Sequence, residues 1–320
     1  MGMQPRHRTR CRGDDEDGEC KTCDGDRTHR PPLKPATHGR EAYSPSRYAH
    51  DAVTTQPADR EPTNELRFSV IVPAFRAEAT ITATIESLLA QSYLPREIIV
   101  VDDGSPDETA EVVAGFGAPV VLIRQENGGT SSARNRGIAA ATGDVICFLD
   151  ADDVYEPGRL ASVAAAFAAE PELDAVLTDA ALVEPARTVL ASSWWPAEAN
   201  RVRLDIRAKI IFCALCIRRP VLTELGPFDQ RFHLLEDVEM WHRIVCRGYR
   251  VGYVDEPSYI YKINPVGKTQ AAQTVNGEWE LFRIDLRYAL AWKTPLSWRP
   301  RLAFRSLRHL RTSLKARVSR

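Results

Sequence analysis

From Phe68 onward the chain alternates short apolar runs with amphipathic stretches. Phe68-Ser-Val-Ile-Val-Pro73 is apolar, β-branched and closed by proline, which predicts a buried strand. Over residues 78–91, Ile81, Ile85, Leu88 and Leu89 recur at helical spacing and give one apolar face. Residues 97–102 read as a second strand, 106–115 as a helix whose early acidic residues complement its dipole, and 119–123 as a third strand. A Gly-rich loop leads to a helix over about 131–141 and a strand over 144–149. A helix over 156–169 and a strand over 175–178 continue the alternation.

Strands separated by single helices imply parallel pairing through right-handed crossovers. Ligands of such sheets bind beyond the carboxyl ends of the strands. That rule gathers residues 73–76, 102–105, 127–134 and 150–153 on one rim, far apart though they are in sequence. Past about residue 180 the pattern loosens: 208–217 are apolar, 222–229 read as a helix end and a turn, and 237–247 as an amphipathic helix. The stretch 180–265 is expected to complete the same domain and shape a pocket over the rim.

Composition adds an asymmetry. The 320 residues carry a formal net charge of −1, yet residues 293–320 hold nine Lys/Arg and no acid, so an acidic body ends in a basic tail. No apolar run is long enough for a membrane-spanning helix, and the start has no apolar signal-peptide core, so a cytoplasmic protein is expected. Cys147, Cys213, Cys216 and Cys246 sit in apolar patterns and read as small buried side chains. Cys11, Cys20 and Cys23, near His7 and His29, lack the second spaced ligand pair of a structural zinc site. Residues 1–65 are expected to be a disordered extension.

The densest chemistry lies at the end of the 144–149 strand, where Asp150, Asp152 and Asp153 crowd three carboxylates into four positions. Their repulsion is costly unless a cation compensates it, and hard oxygen ligands suit Mg²⁺ or Mn²⁺. A solvated acidic turn is the plainer alternative. The first strand is not followed by G-x-G-x-x-G, which excludes a dinucleotide-binding domain. Asp103, ending strand two, remains a nucleoside contact, with Asp102 its structural neighbour.

Four ordered blocks now carry a resemblance: Val70-Ile-Val-Pro-Ala-Phe75, Asp102-Asp-Gly-Ser-Pro-Asp107-Glu-Thr109, Asn127-Gly-Gly-Thr-Ser-Ser-Ala-Arg134-Asn135-Arg-Gly137 and Phe148-Leu-Asp-Ala-Asp152-Asp153. In order and spacing they resemble family 2 inverting glycosyltransferases of the GT-A fold, over about 68–263. The resemblance implies an α/β protein: a Rossmann-like, mixed but mainly parallel sheet flanked by helices, occupying 66–265, with a C-terminal helical region over 266–320. It also implies transfer of a sugar from a nucleotide-sugar donor, a UDP-sugar first, to a glycan or lipid-linked acceptor. Pro73, Ala74 and Phe75 are then expected against the base and ribose, with Asp103 accepting from the base imide. Arg134 is expected at the diphosphate or ribose, Asp152 as the ligand of Mn²⁺ or Mg²⁺, Asp150 at the ribose or at the metal through water, and Asp153 behind them. Gly128 and Gly129 would let the loop backbone approach closely.

Residues 225–243 resemble the family's acceptor-side Glu-Asp block. Asp237 is expected to be the general base, at a helix start where the dipole favours its charge, with Glu236 as the alternative. Trp241 is expected to pack in the core, and His233 and His242 to be surface or core residues. Two departures stand out: Arg76 replaces a common Asn, and no His follows the Glu-Asp pair at the usual distance, leaving Asn264 or Lys268 as diphosphate contacts. These departures motivate a second reading, a nucleotide-sugar-binding or membrane-surface partner protein without transferase activity.

Trp194-Trp195-Pro196 could form a stacking floor for an acceptor sugar or simply pack. In the tail, Ala303, Leu307, Leu310 and Leu314 recur at helical spacing among arginines, which predicts a basic amphipathic helix. An anionic membrane surface is the partner expected for residues 296–320, at the inner face of the cell membrane, with a solvated helix packed on the acidic body as the plainer alternative. Nucleic acid is not expected, because no reading module accompanies the charge.

Overall fold

The computed structural model describes residues 66–184, 187–190, 197–198, 201–202, 211–263, 275–291, 294 and 296–318. The chain divides into two units, 1–45 and 46–320, and every described residue lies in the second. The expected extension over 1–65, Trp194 and Trp195, and Asn264 and Lys268 lie outside the described residues.

Strands β1 (Phe68–Ala74), β2 (Glu97–Asp102), β3 (Val120–Arg124) and β4 (Val145–Phe148) pair in parallel in the order β3-β2-β1-β4. Helices α1 (Ile81–Leu89), α2 (Thr109–Ala114) and α3 (Thr130–Ala140) connect them. Val70, Ile71 and Val72 are all fully buried, which is why β1 is a continuous apolar run rather than an alternating one. Gly137 of α3 lies against β1 so closely that a Cβ there would come within 2.4 Å of Ile71 Cγ2. Glycine is required for that approach, and it fixes how Arg134, one turn earlier, enters the rim.

After β4 come β5 (Val154–Tyr155), α4 (Arg159–Ala169) and β6 (Ala175–Glu184). The expected strand at 175–178 exists but is not the neighbour of β4. The apolar run at 208–217 supplies a 3-10 turn, Phe212–Ala214, and then β7 (Leu215–Arg218), which inserts antiparallel between β4 and β6. Cys216 thereby faces Cys147, and the four described cysteines are buried free thiols. Helices α5 (Arg219–Leu225) and α6 (Glu236–Arg247) precede β8 (Val251–Lys262), which returns parallel to β6. Arg201–Val202 and Ala197–Glu198 extend the sheet edge beyond β8, whereas Arg187–Leu190 pairs antiparallel with the end of β6. The result is the expected mixed, mainly parallel sheet flanked by helices.

Helices α7 (Val275–Leu290) and α8 (Arg299–Val318) pack together, with Ile284, Tyr288 and Leu302 joining the core that holds Trp241 of α6. Arg305 of α8 grips Asp285 of α7 with two hydrogen bonds of 2.6 Å, and His242 of α6 lies 3.5 Å from the same carboxylate. The buried stripe of α8 is Leu302, Ser306, His309 and Ser313, whereas Leu307 and Leu314 point outward. The expected apolar face at 303, 307, 310 and 314 is therefore not the one that docks on the body. Among the described residues no helix is long and apolar enough to cross a membrane.

Candidate active site

At the end of β1 the chain turns sharply: Arg76 has φ 54°, and its N–H donates to Ser105 Oγ at 3.0 Å. A left-handed conformation suits Asn better than Arg, so the exchange noted in the sequence carries a backbone cost. Phe75 is 46% exposed, with the Arg76 guanidinium over its ring at 5.3 Å.

At the end of β2, Asp102 is fully buried, accepts from Ser105 N at 3.0 Å and lies 3.4 Å from Arg124, a structural role. Asp103 does more. Its Oδ1 accepts from Gln125 Nε2 at 2.7 Å and Gly128 N at 2.9 Å, and its Oδ2 accepts from Gly129 N at 2.8 Å. The carboxylate thus shapes the Gly-rich loop, in which Gly129 has φ +84°.

Arg134, buried on α3, bridges two carboxylates: Nη2 donates to Asp150 Oδ1 at 3.0 Å and Nη1 to Glu236 Oε1 at 3.2 Å. Below it the Phe228 ring lies 5.5 Å away, in a cluster with Phe148 and Phe212. Asn135, the next residue, donates to Phe228 O at 3.0 Å and accepts from Phe228 N at 2.7 Å, which locks the 226–229 loop to α3.

The acidic turn after β4 divides its carboxylates. Asp153 is buried and held by β8, accepting from Lys262 N at 2.8 Å and from the Tyr259 hydroxyl; burial and the nearby Asp150 push its pKa up to about 8. Asp152 faces the cavity, and burial followed by Asp150 raises its pKa as well. A cation beside Asp152 would offset the repulsion from Asp150 that helps hold its proton on. Among the described residues no group of three His, Cys, Asp or Glu side chains forms a metal site by itself. Asp152 and Asp150 fit a hard divalent ion that takes its remaining oxygens from a diphosphate and water, the usual mode of Mg²⁺.

Across the cavity, Glu236 and Asp237 begin α6. Burial first, then the neighbouring Glu236, pushes Asp237 up to about 7, although Arg134 and the N–H of Val238 pull the other way. The pull of the helix start on its charge is outweighed by desolvation. The preceding turn is anchored from α7: the Glu280 carboxylate accepts from the N–H groups of His233, Leu234 and Leu235 at 3.1, 3.1 and 3.0 Å.

One cavity of about 660 Å³ is lined by Pro73, Phe75, Asp103, Arg134, Asp150, Asp152, Glu236 and Asp237 together. Ala74 is not in that lining: its side chain is in the core and only its carbonyl, accepting from Asp103 N at 2.8 Å, serves the site. Sequence reasoning missed Phe212, Cys213, Leu234 and Leu235, which also line the cavity. Leu234 and Leu235 adjoin the Glu-Asp pair and were within reach; Phe212 and Cys213 read only as core.

The mixed, mainly parallel sheet with its helices defines a GT-A type of domain. The family model Glycosyl transferase family 2 matches residues 69–225, and the chain belongs to that family. A PGL/p-HBAD biosynthesis glycosyltransferase of Mycobacterium bovis is 31% identical over 53% of this chain and 66% of its own length. The amylovoran biosynthesis glycosyltransferase AmsB of Erwinia amylovora is 43% identical over 30% of this chain and 34% of its own. The chain thus spans about two thirds or less of these relatives. In structure it is similar to S. aureus TarS 1–349 in complex with UDP-GlcNAc, with TM-score 0.64 and 23% identity over 76% of this chain and 72% of that one. It is also similar to the mannosyltransferase PcManGT of Pyrobaculum calidifontis in complex with GDP-Man and Mn²⁺, with TM-score 0.57 and 22% identity over 83% and 78%.

Proposed function

We propose that the chain transfers a sugar from a nucleoside-diphosphate sugar to a hydroxyl of a glycan or lipid-linked acceptor, with inversion, in the assembly of a polysaccharide or glycoconjugate. One observation carries this reading: the carboxylates ending β4 share a cavity with an α6 carboxylate whose pKa is pushed up to about 7. The relatives named for PGL/p-HBAD and amylovoran biosynthesis support a glycan product, and the ligands of the two fold neighbours support a nucleotide-sugar donor. A UDP-sugar is the donor the block pattern implies.

In this reading Asp237 takes the proton of the acceptor hydroxyl, whose oxygen attacks the anomeric carbon opposite the diphosphate. The bond to the phosphate oxygen breaks, and its electron pair departs with the nucleoside diphosphate. Asp152, with Asp150 beside it, would hold Mn²⁺ or Mg²⁺, which when bound neutralises charge on that leaving group. Phe75 and Asp103 receive the nucleoside. Arg134 fixes the spacing of the two acidic groups. A lipid-linked acceptor would be met at the cytoplasmic face of a membrane.

Nucleotide release from a panel of UDP- and GDP-sugars, with and without Mn²⁺, tests the proposal, and NMR of the product reads its anomeric configuration. Mn²⁺-stimulated release that is lost in Asp152→Ala and in Asp237→Ala is expected. Turnover persisting in both variants would sink the assigned roles. Tight UDP binding without turnover on any acceptor would favour a binding protein instead.

A further inference from the structure

Helix α8 is amphipathic in the wrong direction for a helix that serves only to cover the body. Its docked stripe, Leu302, Ser306, His309 and Ser313, contains one large apolar residue. It is held largely by polar ties, Arg305 to Asp285 at 2.6 Å and His309 Nδ1 to Glu278 at 2.6 Å. On the opposite side Phe304 is 73% exposed, Leu307 62% and Leu314 51%. At 3.6 residues per turn Arg301, Arg308 and Arg311, all exposed, fall on the same outward arc. Leu290, at the end of α7, and Leu296, in the link to α8, are each 76% exposed.

An apolar arc of this kind normally faces the core or a partner. The partner must also accept cations, because residues 293–320 carry no acid with which to satisfy them. A second copy meeting the first through this face would set arginine against arginine, since a two-fold contact apposes like surfaces. An anionic bilayer satisfies both demands: the apolar side chains enter the acyl boundary while the guanidinium groups meet phosphates. We infer that the outward face of α8, centred on Phe304, Leu307 and Arg311, docks the protein on an anionic lipid surface. The inference stands apart from the transfer reaction and is tested without it.

The test is co-sedimentation with vesicles of phosphatidylcholine alone and of phosphatidylcholine mixed with phosphatidylglycerol, at low and high salt. The wild type should bind the mixed vesicles only, and more weakly as salt rises. Phe304→Ser combined with Leu307→Ser should weaken binding about tenfold or more. Arg301→Gln, Arg308→Gln and Arg311→Gln together should weaken it roughly a hundredfold. Melting temperatures should stay at the wild-type value, because none of these side chains is packed. Deleting the helix would strip Leu302 and Arg305 from the body, so point variants are the sounder probe. Equal sedimentation of wild type and both variants would overturn the inference. So would a wild-type dimer, seen by light scattering, that Phe304→Ser with Leu307→Ser dissociates while vesicle binding is absent.

Discussion

Arg134 and Glu236 meet at 3.2 Å inside the protein, while the other arm of the same guanidinium reaches Asp150 at 3.0 Å. One side chain thus joins the acidic turn after β4 to the start of α6. Arg134→Met should cost on the order of 3–5 kcal/mol, because it takes the cation away from the buried Glu236 carboxylate, and urea unfolding reads that loss. Arg134→Lys restores the charge but not the two-armed geometry, so it should recover much of the stability and little of the turnover.

The pH dependence of the site follows from Asp237, whose pKa is pushed up to about 7. A base must be unprotonated, so turnover should rise with pH and reach half its plateau near 7. For stability the sign is the reverse. The folded pKa lies above the unfolded one, so the contribution of this group is full below the unfolded pKa and is lost as pH rises through about 7. Asp237→Asn should therefore melt at a higher temperature than wild type at pH 8 while turnover falls on the order of 10²- to 10⁴-fold. An unchanged pH-rate profile in residual Asp237→Asn activity would show that another group titrates.

Asp152 gives a binding prediction that needs no acceptor. UDP should raise the melting temperature in the presence of Mn²⁺, by several degrees at about a hundredfold excess over Kd. The rise should shrink sharply when Mn²⁺ is chelated and in Asp152→Asn. A full UDP shift in both conditions would move the cation away from the β4 turn.

Glu280 offers a control from outside the matched region, since the family model ends at residue 225. Its carboxylate receives three successive N–H groups just ahead of Glu236. In Glu280→Ala the amides of residues 233–235 should exchange faster with solvent, and kcat should fall on the order of 10- to 100-fold through misplacement of α6. Donor KM should stay within about twofold, because the donor side is built on other strands. Glu280→Gln keeps one acceptor oxygen and should lie between. A uniform loss in kcat and donor KM would indicate general destabilisation.

The first half of the domain was legible because each strand is a short apolar run ending in a distinctive polar turn, and parallel topology decides that those turns meet. Beyond residue 180 that reasoning weakens. Residues 215–217 are apolar and short, and nothing in such a run says that it enters antiparallel between β4 and β6. Helical periodicity located α8 but not its docked face, because hydrogen bonds to Asp285 and Glu278 on another helix choose the side with Ser306 and Ser313. Glu280 could not be found from sequence: it lies 45 residues from Leu235, and its role exists only through backbone N–H groups.

The bonds of Asp103 bear on attempts to retool the site. Because one carboxylate both faces the cavity and fastens Gly128 and Gly129, altering it would also slacken the neighbouring loop. The cavity wall is better reshaped at Phe75 and Arg76, whose exposed side chains can be exchanged without unfastening anything beneath them.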